Sequence, residues 1–128
     1  MSFKVLSDKM LWVILLVLGF FILYQKGLIL ANFESIDPHQ AKVFLSEDNA
    51  TLLDVRTPEE FRESHIQGAK LIPMSALHKR LDEIDKTSRI IVYCETGNRS
   101  VSASRLLSNH GFTAFNVKGG IDAWKRKK

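Results

Sequence analysis

The run Cys94-Glu95-Thr96-Gly97-Asn98-Arg99-Ser100 sets a thiol, a guanidinium and a hydroxyl close together, with a glycine between them. A cysteine attacks as its thiolate, which forms at neutral pH only where nearby groups offset its charge. A helix is predicted from about Ser100 to His110, and the unpaired N–H groups of a helix start carry a partial positive charge that stabilises such an anion. Gly97 lets the backbone turn with its amides directed inward, and Arg99 adds a fixed positive charge at the rim. The spacing reads as a cradle for an anion, built from the amides of Glu95 to Ser100, with a nucleophile at its centre. An inert buried thiol needs neither the glycine nor the arginine.

Cys94 is the single cysteine in a chain of 128 residues. That count excludes an intramolecular disulfide, a two-cysteine redox motif and a cysteine-rich zinc site. His39, His78 and His110 fall on predicted helices with no acidic or cysteine partner at ligand spacing. Neither a metal nor a cofactor is expected.

The elements that must position Cys94 follow from the apolar pattern. Arg89 to Tyr93 is apolar and β-branched on both faces, as a central parallel strand should be, and Cys94 follows it directly. In an open parallel sheet the functional loops lie at the carboxyl ends of the strands, which is where this cysteine sits. Asp37-Pro38 opens a short helix through about Leu45. Thr51 to Val55 reads as a strand, and Thr57 with Glu60 forms a capping box for the next helix, which ends before Gly68. Lys70 to Ile72 is a short strand stopped by Pro73, and Ser75 is expected to cap a helix whose Leu77, Leu81 and Ile84 share a face. After the helix stopped by Gly111 come a strand from Phe112 to Val117, a Gly119-Gly120 turn and a last helix with Ile121 and Trp124. Strand and helix alternate, so the expected class is α/β, with a central parallel sheet flanked by helices on both faces.

Asp54, Arg56, Glu60 and His65 are candidates for a supporting shell. Arg56 is expected to pair with Glu60, holding a helix start to its strand. Asp54 is expected to satisfy buried amides, and His65 to pack and hydrogen-bond locally. Trp124, behind the two glycines, is expected to plug an edge of the core.

The N-terminal third differs in kind. Met10 to Tyr24 carries no charge, and its 15 residues would rise about 22 Å as a helix, short of the roughly 30 Å hydrocarbon core. If Lys26 snorkels and the helix runs on to Ala31, the segment is long enough to span. Cleavage after Ala31 would put Ile29 at a position that signal peptidases require to be small. The expected organisation is an uncleaved hydrophobic anchor over residues 1–31, spanning about 10–31, then a soluble domain over 32–124 and a basic tail over 125–128. A cleaved signal and a partner-docking helix are the alternatives. Lys4 and Lys9 before the segment favour a cytoplasmic N-terminus, which in a bacterium puts the domain in the periplasm. The net charge of +4 comes from the flanks, because the domain body without Lys125 to Lys128 is slightly acidic. No basic stripe with interleaved aromatics appears, so nucleic acid is not an expected partner.

The four blocks Asp54-Val55-Arg56 with Glu59-Glu60-Phe61, His65-Ile66-Gln67-Gly68-Ala69, Cys94 to Ser100 and Gly119-Gly120-Ile121-Asp122-Ala123-Trp124 resemble those of the single-domain rhodaneses, the thiosulfate sulfurtransferase-like proteins. The resemblance covers about residues 34 to 124. It implies the rhodanese fold and a Cys94 that accepts a sulfane sulfur as a persulfide and passes it to cyanide, a thiol or a protein acceptor. It also leaves open a tethered sulfur-carrier or binding module with little turnover. A cysteine-based phosphatase or arsenate reductase is the less favoured alternative, because the tyrosine and cell-cycle phosphatases have five residues between cysteine and arginine where this chain has the four Glu95 to Asn98. Glu95 departs from the neutral or basic residue common in relatives that use thiosulfate. Its carboxylate is expected to repel thiosulfate and to oppose thiolate formation, which favours persulfides of small thiols or a protein donor.

Overall fold

A computed structural model describes residues 2–25, 33–47 and 49–126. The chain divides in sequence into two compact units, residues 1–31 and 32–128. The first contains one helix, α1 (Ser2–Gln25), which begins earlier than the apolar run does. Residues 7–25 form the one helix among the described residues that is long and apolar enough to cross a membrane, a property that membrane spans share with signal sequences. Its large apolar side chains from Met10 to Tyr24 are exposed. The expected continuation to Ala31 lies outside the described residues, as do Lys127 and Lys128 of the basic tail.

The second unit is built on five strands: β1 (Glu34–Ile36), β2 (Ala50–Asp54), β3 (Lys70–Leu71), β4 (Arg89–Tyr93) and β5 (Thr113–Val117). They pair in the order β1-β5-β4-β2-β3, every pair parallel. The central strand β4 alternates its side chains between two buried layers. Ile90 and Val92 enter one layer with Leu53, Leu77, Ala103 and Leu107. Ile91 and Tyr93 enter the other with Ile36, Ala41, Leu52, Val117 and Ile121. Cys94 continues the parity of Ile90 and Val92, so its sulfur emerges on the face covered by α5 (Asn98–Asn109).

Local chemistry starts the helices largely where the residue pattern predicts. Asp37 caps α2 (Pro38–Ser46), its Oδ1 accepting from the Gln40 N–H at 2.7 Å. Thr57 and Glu60 form the predicted capping box of α3 (Pro58–Glu63). Three details differ from expectation. Ser75 lies inside α4 (Met74–Leu77) and caps nothing; α4 starts after Pro73 without a side-chain cap and runs into a 3-10 segment, His78–Glu83, interrupted at Arg80. Leu77 and Ile84 are nevertheless buried and Leu81 packs on the same core. Helix α5 begins at Asn98 rather than Ser100, because Gly97 adopts the left-handed conformation that turns the chain into it. The edge strand β1 escapes the apolar pattern, since only Ile36 of its three residues is buried.

The last helix, α6 (Gly120–Lys125), is seated on the end of β4. Its Ile121 N–H donates to the Cys94 carbonyl at 2.9 Å and its Asp122 N–H to the Glu95 carbonyl at 3.2 Å. Seating it this closely requires Gly120, because a Cβ there would overlap both carbonyl oxygens, in a backbone with φ +59°. Gly120→Ala should therefore destabilise the domain by more than about 2 kcal/mol, a fall in Tm of roughly 10 °C. Gly111→Ala, at positive φ but with only the Lys86 ammonium nearby, should cost about 1 kcal/mol. Thermal unfolding of both variants by circular dichroism checks the contrast.

Candidate active site

The turn out of β4 wraps the Cys94 sulfur in donors. Sγ accepts from the Gly97 N–H at 3.1 Å and the Ser100 N–H at 3.3 Å, and lies 3.4 Å from the Ser100 hydroxyl. The residue is 1% exposed. Burial opposes an anion, but the Ser100 hydroxyl and the amides of Ser100, Gly97 and Thr96 outweigh it and hold the thiol below its ordinary value. The sulfur sits at the first turn of α5, where the unpaired amides of the helix are concentrated and favour its anionic form.

Of the predicted supporting residues, Arg56 and Glu60 contact this loop, with partners exchanged. Arg56 does not pair with Glu60. It is 3% exposed and forks onto Asp54, with Nε at 3.0 Å from Oδ1 and Nη2 at 2.7 Å from Oδ2. It also donates to the Ser64 carbonyl at 2.7 Å and to Glu95 Oε1 at 3.3 Å. Burial works against its charge, but Asp54 holds it firmly protonated. Asp54 was the nearest carboxylate to a guanidinium two residues on, and buried charges persist only when paired this way. Arg56 therefore ties the ends of β2, α3 and the cysteine turn together. Asp54 also satisfies the Arg56 amide at 2.9 Å, the expected role widened by the ion pair.

Glu60 turns instead to Arg99. The two form a fork–fork pair, both oxygens accepting at 2.8 Å, while Thr57 donates to Glu60 from its amide and hydroxyl. Arg99, first among its effects, holds Glu60 down to about 2. The guanidinium is thus committed to α3, though its charge still acts on Cys94. His65 stacks on Phe61 at 3.7 Å, and its Nδ1 lies 2.8 Å from the Phe61 carbonyl, the local role predicted. Trp124 packs partly buried on the second core layer with Lys42 over its ring, as expected of a plug.

Glu95 has the least settled environment. The Asp122 carboxylate, then burial, push it above its ordinary value against the pull of Arg56. Its expected opposition to thiolate formation is not decisive, since Cys94 is held low despite it. Asp122 and Asn116 were not singled out by the residue pattern, although a polar residue in a buried strand such as β5 is itself a signal. Among the described residues no group of three or more His, Cys, Asp or Glu is placed to hold a metal.

Comparison with known proteins follows the same outline. The model of a rhodanese-like domain matches residues 37–127. The thiosulfate sulfurtransferase GlpE of Actinobacillus pleuropneumoniae is 36% identical over 96 residues, covering 74% of this chain and 89% of that protein. A rhodanese-like domain protein from Staphylococcus aureus superposes with a TM-score of 0.68 at 34% identity, over 73% of this chain and 93% of that one. A rhodanese-related protein from Thermoplasma volcanium gives 0.66 at 32% identity, over 71% and 89%.

The Glu60–Arg99 pair has a pH signature. Because Glu60 is held below its ordinary value of 4.5, its stabilisation is full above that value and is lost as pH falls toward about 2. For a pair partly screened by solvent this amounts to about 1 kcal/mol. Urea unfolding at pH 7 and pH 3 should show Glu60→Gln less stable by that amount at pH 7 and closer to the parent at pH 3.

Proposed function

The chain belongs to the rhodanese-like domain family, and from that premise we propose that it is a sulfurtransferase working through a Cys94 persulfide. The observation that carries this is the cradle itself: a buried sulfur accepting two amide hydrogens beside a hydroxyl. The thiolate attacks the sulfane sulfur of a donor, thiosulfate or a persulfide. The new Sγ–S bond forms as the donor's S–S bond breaks, and sulfite or a thiolate leaves with the electron pair. An acceptor nucleophile, cyanide or a thiol, then attacks the outer sulfur, and Cys94 departs as the thiolate it was. The amides of Thr96, Gly97 and Ser100 stabilise the sulfur anion without moving. Arg56 and Arg99 support the loop through their carboxylate partners rather than by gripping the donor, and Asp54, Glu60 and His65 act behind them.

The rim selects among donors. Glu95, half exposed and next to Cys94 in the turn, lies beside the Asp122 carboxyl group. A doubly negative donor approaches against that field, whereas a persulfide of a neutral thiol or a protein does not. The family model and the thiosulfate sulfurtransferase relatives support the reaction class. We read α1 as a membrane anchor with a cytoplasmic N-terminus, a reading supported by its length, its apolar composition and the lysines, Lys4 and Lys9, that precede its apolar run.

Thiocyanate release from thiosulfate and cyanide, measured on the chain in detergent, tests the reading. Cys94→Ser should abolish it. Glu95→Gln should raise kcat/KM for thiosulfate about tenfold, while changing the value for the persulfide of an uncharged thiol less than twofold. Equal effects on both donors would remove the rim from the account, and sulfur loading without thiocyanate release would make the protein a carrier. For the anchor, a reporter fused after residue 128 should be active in the periplasm of a bacterial host; activity confined to the cytoplasm reverses the orientation.

A further inference from the structure

A buried chain of polar groups runs away from the reactive sulfur, and the sulfur chemistry does not account for it. Ser100 Oγ, 3.4 Å from Cys94 Sγ, is 2.5 Å from Asn116 Oδ1, and Asn116 Nδ2 is 3.1 Å from Ser35 Oγ. Asn116 is 3% exposed in β5, at a position otherwise occupied in this layer by Ala114 and Phe112. Burying an amide in a parallel sheet is costly unless each of its groups finds a partner. Both ends of this amide do, and the line of partners ends on Ser35, which is exposed on the edge strand β1.

The hydrogens in this line can run in only two consistent directions, because each hydroxyl has one to give. In the first, the thiol donates to Ser100 Oγ, the Ser100 hydroxyl to Asn116 Oδ1, and Asn116 Nδ2 to Ser35. In the second, the Asn116 amide is turned over, an orientation that the hydrogen-bond network alone decides. Ser35 then donates to Oδ1, Nδ2 donates to Ser100 Oγ, and the Ser100 hydroxyl donates to sulfur. The first suits the thiol and the second the thiolate, whose proton has passed to a base in solvent. No proton travels along the line.

We propose that Asn116 is a positioning residue that, by turning its amide, aims the Ser100 hydroxyl at the Cys94 sulfur when the sulfur is an anion. This rests on Cys94 being the working nucleophile, as proposed above. Without Asn116 the Ser100 hydroxyl loses the N–H that holds and polarises it, and is free to turn to a helix carbonyl instead. The charged groups around the loop are Arg99 on α5, Glu60 on α3, Asp54 and Arg56 at the end of β2, Glu95 in the turn and Asp122 on α6. Substituting Asn116 changes none of them.

The pH dependence of iodoacetamide alkylation tests this, because the chain has one cysteine and the signal is Cys94 alone. Ser100→Ala should move the midpoint upward by about one pH unit, the loss of one hydrogen bond to an anion. Asn116→Leu should move it upward by about half a unit, and Ser100→Ala/Asn116→Leu no further than Ser100→Ala alone. If Asn116→Leu does not fold, Asn116→Ser, too short to reach Ser100, is expected to give the same values. An unchanged midpoint in the Asn116 variant, or an effect of the same size without the Ser100 hydroxyl, overturns the proposal. The alkylation reads ionisation and not sulfur transfer, so this proposal and the sulfurtransferase reading fail separately.

Discussion

A sulfur anion shut away from water must be surrounded by fixed donors, or it takes a proton instead. That constraint organises the domain. The central strand β4 delivers Cys94 to a buried position, and the first turn of α5 supplies amides that no carbonyl in the helix can use. For those amides to converge, the backbone must reverse within a few residues, and Gly97 in its left-handed conformation does this. The carbonyls freed by the same reversal are taken up by α6, whose approach only Gly120 permits. The glycines and the helix ends thus serve one purpose, which is to exchange water around a sulfur for backbone.

The charges near the loop are arranged so as not to undo this. Carboxylates outnumber guanidiniums there, yet each guanidinium is forked onto a carboxylate: Arg56 on Asp54 in the interior, Arg99 on Glu60 nearer the surface. Those pairs act as struts from α3 and β2 to the loop. Glu95 and Asp122 share no such fork: Glu95 lies beside Asp122 and reaches Arg56 at 3.3 Å. The groups that lower the Cys94 thiol, the amides and the Ser100 hydroxyl, are thus distinct from the carboxyl groups of Glu95 and Asp122.

Sequence reasoning reached what local rules encode. A strand apolar on both faces, a capping box, and a cysteine followed by a glycine and an arginine all carry their meaning in short spacings, so β4, α3 and the Cys94 loop were legible. What depends on the third dimension was not. Arg56 and Glu60, four positions apart on either side of a helix start, looked like partners; the fold instead offered Arg56 a buried carboxylate on its own strand and offered Glu60 a guanidinium from α5. β1 borrows its order from β5, with too few buried residues to announce itself. The link from Ser100 through Asn116 to Ser35 joins three elements distant in sequence, which no periodicity records.

Whether Cys94 carries sulfur is read directly by the intact mass of the chain. After incubation with thiosulfate or a thiol persulfide and removal of excess donor, the mass should rise by one sulfur atom, return on addition of cyanide or a thiol, and never rise in Cys94→Ser. No gain from any donor, or a gain that survives loss of Cys94, would contradict it.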